Sequence, residues 1–485
     1  MVKNISGDGR SFPRQYILCR DRLNIPSTWA VKQLKSWYLG HDSALPIVDI
    51  QDRANQTIGW LVGYPIDGQG KLGNRLQLTF DAPAKNFTQQ FETAMAEYGG
   101  RYVAILLSST ASRLYLDPAG TLATVYCPSQ EIVASSTTLI PYRSECGDNQ
   151  ALIDAIQPQK RDGWYPFGLT PRHGVSRLIP SHCLDLDSWQ SQRYWSTAHI
   201  TPTTDCDRSV AKIAAILTRQ IKAIAKKYPI YLSLTAGRDS RMLLACSRSS
   251  LTRTKFFTRE IPDSSARLDC EIATNLAERF DLDYRLLTYQ NPSPTELEQW
   301  LLQTGNCVAG RVWQSVKTLK QLESDRIYLP GIAAEVGRCF YWRRQDTTEQ
   351  EVSAIEILER MRMPQTPLLQ QKAQQWLTQL PVKDRFAVLD LLYLEQRLGC
   401  WAGPLHYGLV NNGFCLSPFV NRRLLEIMLS LPVDYRQNQL FARDLIRQQW
   451  SELLTMPFNR YPGIQGQLLV LQQKIQNKLQ KLGRR

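Results

Sequence analysis

From Thr201 onward, short apolar segments alternate with runs of helical periodicity. Few architectures besides a parallel sheet with right-handed crossover helices accept that alternation. Residues 210–227 are predicted as a helix and Ile230-Tyr231-Leu232-Ser233-Leu234 as a buried strand. A second helix opens at or near Ser240 and reaches Cys246. Lys255-Phe256-Phe257-Thr258 reads as a second strand, residues 268–280 as a helix, and Tyr284-Arg285-Leu286-Leu287-Thr288 as a third strand. Ile327-Tyr328-Leu329 adds another strand, and the pattern beyond about residue 350 is mostly helical.

The first 200 residues follow a different rule. Tyr102 to Leu107, Ser112 to Leu116, Ala123 to Tyr126 and Glu131 to Ala134 are short strands separated by turn signals, as in antiparallel hairpins. Asp117-Pro118-Ala119-Gly120 is one such turn, with Pro presetting φ and Gly tolerating a positive φ. The polar stretch Thr201-Pro202-Thr203-Thr204 marks the change of pattern. The expected division is 1–200, 201–465 and a basic tail, 466–485. In that tail Leu468, Leu471, Ile475, Leu479 and Leu482 share one helical face.

Composition narrows the class. The 485 residues suit two or three domains at ~100–200 residues each. The start of the chain has no apolar core region, and the longest apolar runs are far too short to span a bilayer. A cytoplasmic protein without a membrane span is expected. Eleven cysteines, an odd number with no Cys-x-x-Cys pair, argue against a zinc site or a disulfide framework. The five histidines lack metal-ligand spacing. The net charge of +14 suits anionic partners, but the basic residues are dispersed and no nucleic acid is expected.

The chemistry concentrates in Thr235-Ala236-Gly237-Arg238-Asp239-Ser240, between the first strand of the second region and its helix. Ligands of parallel sheets sit beyond the carboxyl ends of strands, and a helix start offers unpaired N–H groups to phosphate. Ala236 and Gly237 are small enough for close backbone approach, and Thr235 and Ser240 carry hydroxyls. Asp239 beside phosphate calls for a Mg²⁺ between them. The Walker-type Gly-x-x-x-x-Gly-Lys loop is absent.

This string resembles the Ser-Gly-Gly-x-Asp-Ser loop of the ATP pyrophosphatases. Further motifs are similar to asparagine synthetases. They are Gly100-Arg101-Tyr102-Val103-Ala104, Ala134-Ser135-Ser136, Gly174 to Pro180, Arg193-Tyr194-Trp195, Gly331-Ile332-Ala333-Ala334-Glu335, Pro418-Phe419-Val420-Asn421 and Arg443-Asp444-Leu445-Ile446-Arg447. Their order and spacing agree from about residue 95 to 460. The resemblance implies an Ntn-hydrolase-like antiparallel β-sandwich followed by a parallel α/β ATP-pyrophosphatase domain with a helical C-terminal part. It implies ATP and Mg²⁺ as cofactors, with Asp239 and Glu335 as metal ligands and Arg443, Glu335 and Asp239 as catalytic residues. The expected nucleotide contacts are Leu234, Thr235, Ala236, Gly237, Asp239, Ser240, Thr258 and Gly331.

The departures shape the functional expectation. Residue 2 is Val where the family exposes a nucleophilic Cys, and Cys19 has no free α-amino group as its base. Ile66-Asp67-Gly68-Gln69-Gly70 stands where a glutamine-binding Asn-Gly-Glu belongs. Glutaminase activity is therefore expected to be lost, as in β-lactam synthetases and lasso-peptide cyclases, which this arrangement resembles. Arg443 replaces a family Lys, and Ile332 replaces a Glu or a catalytic Tyr. Glu395 and Tyr341 are the nearest substitutes for the missing base. The resemblance implies a ligase that adenylates a carboxylate, releases pyrophosphate and transfers the acyl group to an amine on a small molecule or peptide. The alternative is a degenerate ATP-binding regulator or scaffold. A tRNA-modifying pyrophosphatase would match only residues 230–340. Asp269 and Glu271 read as a solvated helix face, and Trp342 and Trp401 as packing residues. The oligomeric state stays open, a homodimer being one option.

Overall fold

A computed structural model describes residues 11–458 apart from 72–74, 83, 263, 324–325 and 410–413. The tail helix expected over 466–485 lies outside the described residues, as do Met1 and Val2. Among the described residues no helix is long and apolar enough to cross a membrane.

The first region forms two sheets. Its strands are β1 (Tyr16–Cys19), β2 (Ala30–Leu34), β3 (Trp37–His41), β4 (Ile47–Gln51), β5 (Thr57–Ile66), β6 (Arg75–Gln77) and β7 (Gly99–Leu107). They continue with β8 (Ser112–Leu116), β9 (Val125–Cys127), β10 (Ile132–Ala134), β11 (Ser176–Arg177), β12 (His182–Asp185) and β13 (Ser191–Arg193). One sheet runs β11-β9-β10-β1-β3-β2 and the other β13-β12-β8-β7-β5-β4-β6. All pairings are antiparallel except β4 with β6.

The period-two pattern explains how they stack. Tyr16 and Leu18 join Val103, Ile105 and Leu107 in one core, while Ile17 and Cys19 enter a second core behind β1. Tyr102, Ala104 and Leu106 face a third core with Phe87 and Phe91 of the helix Phe87–Met95. Each fully buried Val, Leu, Ile or Phe among them contributes about 1.5–3 kcal/mol. The turn after β8 is held by buried Asp117. Its carboxylate accepts from the backbone N–H groups of Ala119, Thr121 and Leu122 and from the Thr121 hydroxyl, at 2.9–3.1 Å. Gly120 there takes φ +63°.

The second region is built on β14 (Ile230–Ser233), β15 (Thr254–Glu260), β16 (Tyr284–Thr288), β17 (Ile327–Leu329) and β18 (Phe414–Cys415). They form an all-parallel sheet in the order β16-β15-β14-β17-β18. The chain steps outward from β14 to β16, then returns to place β17 on the other side of β14. Strand order therefore reverses at β14, and a crevice opens between the carboxyl ends of β14 and β17.

Helices start earlier than expected from sequence. Asp205 caps the helix Cys206–Lys227 by accepting from the Arg208 N–H at 2.9 Å. Val210, Ile213, Leu217, Ile221 and Ile224 form its buried stripe. The helix after the loop spans Arg238–Cys246, not a start at Ser240, so Arg238 and Asp239 lie in its first turn. The helix Ser264–Arg279 likewise begins before residue 268. Periodicity locates apolar residues, whereas helix starts are polar.

The two regions meet through defined bonds. The Gly100 N–H donates to the Val420 carbonyl at 2.9 Å, the Tyr407 hydroxyl to the Ala123 carbonyl at 2.9 Å, and the Gln15 amide to Gln303 Oε1 at 2.7 Å.

Candidate functional site

The loop 234–240 leaves β14 at the crevice. The Leu234 N–H donates to the Phe257 carbonyl at 2.8 Å, and its own carbonyl accepts from the Thr258 hydroxyl at 2.5 Å. Thr258 therefore anchors the loop to β15. Thr235 and Ser240 bring their hydroxyl oxygens to 2.9 Å of each other. The Gly237 N–H donates to Thr235 Oγ1 at 3.0 Å, and the Thr235 N–H to Ser240 Oγ at 3.3 Å. The Ala236 N–H donates to Asp269 Oδ1 at 2.8 Å. Asp269 is thus a loop-holding residue and not part of a solvated face, while Glu271 is exposed as expected. A ligand anion would exchange with these internal bonds.

Beyond the loop lies a cavity of about 340 Å³. Its polar lining includes Thr235, Asp239, Ser240, Arg259, Glu335 and His406. Its apolar lining includes Trp300, Ile332, Trp401, Leu405 and Leu409. Trp401 therefore has a wall of the cavity as well as a packing role. Arg397 stacks its guanidinium 3.7 Å from the Trp401 ring centroid. His406 is 2% exposed, and burial together with the Arg101 charge holds its imidazole neutral, well below its ordinary pKa. The ring lines the cavity and has the Thr121 backbone as a polar neighbour.

Gly331, at the end of β17, touches the loop directly. A Cβ there would stand 2.7 Å from Asp239 Cβ, so only glycine permits this approach. Four residues on, Glu335 accepts from the Tyr393 hydroxyl at 2.6 Å. Burial and the nearby Asp239 carboxylate push its carboxyl up to about 7. Asp239 and Glu335 are thus brought together as expected.

Asp239 already has a cationic partner. Arg338 donates from Nε to Asp239 Oδ1 at 2.7 Å and from Nη2 to Oδ2. The fork takes one lone-pair site on each Asp239 oxygen, and the Tyr393 hydroxyl takes one on Glu335. Mg²⁺ requires ionised oxygens in near-octahedral geometry. A Mg²⁺ held by Asp239 and Glu335 fits this arrangement poorly, because it has to compete with the Arg338 guanidinium for the Asp239 carboxylate. A longer look past Glu335 would have shown Arg338 one helical turn on; nothing local signalled Tyr393.

Three further residues singled out in the sequence lie away from the cavity lining. Arg443 lies exposed in the first turn of the helix Leu440–Trp450 and does not line the cavity. Glu395 is completely buried and held by the Arg193 guanidinium, with Nη2 at 3.0 Å, and by Trp376 Nε1 at 2.7 Å. It is a buried clamp between the two regions and does not line the cavity. Tyr341 is buried outside the cavity lining, and burial raises its phenol well above the ordinary value. Neither residue lines the cavity beside Ile332.

Fold and cleft together define a two-part α/β protein with a hydroxyl-bearing cavity, lined also by Arg259, Asp239 and Glu335, at the switch point of a parallel sheet. Compared with known proteins, the chain matches no family model and no curated protein.

Proposed function

We propose that this chain is an ATP-dependent, AMP-forming ligase of the asparagine synthetase kind, which joins a carboxylate to an amine without hydrolysing glutamine. The observation that carries the reading is the placement of Thr235 and Ser240. Their hydroxyls sit side by side at the carboxyl end of the central strand and line a cavity that extends to Ile332 and Trp401. ATP is a substrate here. The hydroxyls and the start of the helix Arg238–Cys246 would receive its phosphates, with Ala236 and Gly237 admitting them closely. Arg259 and Arg338 would neutralise charge on the leaving pyrophosphate. The apolar wall would receive the carboxylate substrate. On the same reading, the paired antiparallel sheets are an Ntn-hydrolase-like scaffold, the parallel sheet is an ATP-pyrophosphatase domain, and the protein works in the cytoplasm.

The absence of glutaminase chemistry is supported by Cys19. It is fully buried in β1, its thiol donates to the Asp21 carbonyl at 3.1 Å, and burial pushes its pKa up to about 12. Such a thiol is a poor nucleophile. A second reading, nucleotide binding without catalysis, is favoured by the Arg338 fork on Asp239 and by a non-ionisable Ile332 in the cavity wall.

The test is pyrophosphate release from ATP over a panel of carboxylic acids, with and without MgCl₂, comparing the wild type with Thr235→Val and Ser240→Ala. Acid-dependent release that both variants lose supports the ligase. ATP binding without release from any acid favours the second reading. Absence of both binding and release removes the loop assignment.

A further inference from the structure

The Arg338 guanidinium is forked onto Asp239, a residue expected to hold Mg²⁺, and we propose that this cleft binds polyphosphate without a divalent cation, Arg338 serving as the built-in counter-ion. The inference rests on the reading that the loop receives a polyphosphate.

Three observations carry it. The first is geometric. A guanidinium on a carboxylate through two parallel N–H bonds is a strong way to hold that carboxylate, and it offsets the charge that a metal would otherwise offset. Arg338 Nη1 donates to no protein atom among the described residues, and Asp239, which Arg338 holds, lines the cavity.

The second is electrostatic. The Arg338 guanidinium already balances the Asp239 carboxylate, so a Mg²⁺ entering there would have to compete with it or displace it.

The third is that Arg259 lines the cavity with Thr235 and Ser240, its guanidinium donating to Ser315 Oγ. A second cation is therefore in place without any metal.

The test is titration of the full chain with inorganic pyrophosphate and with ATP by isothermal calorimetry, in EDTA and in excess MgCl₂. Pyrophosphate affinity in EDTA within about threefold of that in MgCl₂ is expected. Arg338→Ala should weaken metal-free binding by about tenfold or more, and MgCl₂ should restore part of it because Asp239 is freed as a ligand. Arg338→Lys, which keeps the charge and loses the fork, should fall between them. Thermal unfolding by circular dichroism identifies any variant that has failed to fold, and Arg338→Lys then carries the comparison. Binding that appears only with MgCl₂, or Arg338 variants that bind like wild type in EDTA, overturns the inference and leaves the proposed function standing. No binding of either ligand in either buffer overturns both.

Discussion

Arg338 closes its guanidinium on both carboxylate oxygens of Asp239, across 99 residues of chain, and so ties the β17 loop to the loop that follows β14. Its removal leaves Asp239 beside Glu335 with Arg238 as a remaining nearby cation. Arg338→Ala should therefore destabilise the fold by about 1–3 kcal/mol, the partial exposure of the pair keeping it below a fully buried bridge. In urea denaturation, a double-mutant cycle with Asp239→Asn should show a coupling of about 1 kcal/mol or more. Additive effects would mean that the pair is not an energetic unit.

Glu335 gives the fold a pH signature. Its carboxyl is pushed from 4.5 up to about 7, by burial and by Asp239, so the folded chain binds more protons than the unfolded chain between those values. Stability should fall as pH rises through that window. The cost is absent below the unfolded value and reaches no more than about 3 kcal/mol above the folded one. Glu335→Gln removes the slope. Denaturation midpoints of wild type and variant should converge near about pH 5 and separate by about pH 8, with the variant more stable. Parallel profiles would show that Glu335 titrates normally.

Gly331→Ala tests the contact between the two loops. The added methyl would stand 2.7 Å from Asp239 Cβ, and relief requires backbone movement. A loss of about 1–3 kcal/mol in thermal or chemical unfolding is expected, with weaker pyrophosphate binding because the fork on Asp239 shifts. Unchanged stability would show that the loops are not in contact.

Arg443 and Glu395 should behave in opposite ways. Arg443→Ala, at an exposed position off the cavity, should change stability by less than about 0.5 kcal/mol and leave pyrophosphate binding as it was. Glu395→Gln breaks a buried charge pair with Arg193 and weakens the bond from Trp376, and should cost about 3–5 kcal/mol in unfolding measurements. Catalytic defects in Arg443→Ala with stability intact would restore it to the site.

Much of the architecture was legible in the residues. The strands at Ser112–Leu116 and Tyr284–Thr288 and the interior of the helix Cys206–Lys227 follow from apolar periodicity, which burial on one or both faces imposes on sequence. The loop 235–240 was legible because small and hydroxyl residues between a strand and a helix have few other uses. Helix starts at Cys206 and Arg238 were less visible, since polar first turns carry no periodic signal.

Sequence by itself determined an antiparallel region, a parallel sheet and a loop at the end of its central strand, because local periodicity and turn chemistry are written residue by residue. The tertiary structure alone decided that Arg338 forks onto Asp239, that Asp269 holds Ala236, that Glu395 is a buried clamp and that Arg443 faces outward. Those relations join residues from 33 to more than 200 positions apart. Side-chain charge and type are the same in a solvated pair as in a buried fork, and only the packing of β14 against β17 distinguishes them.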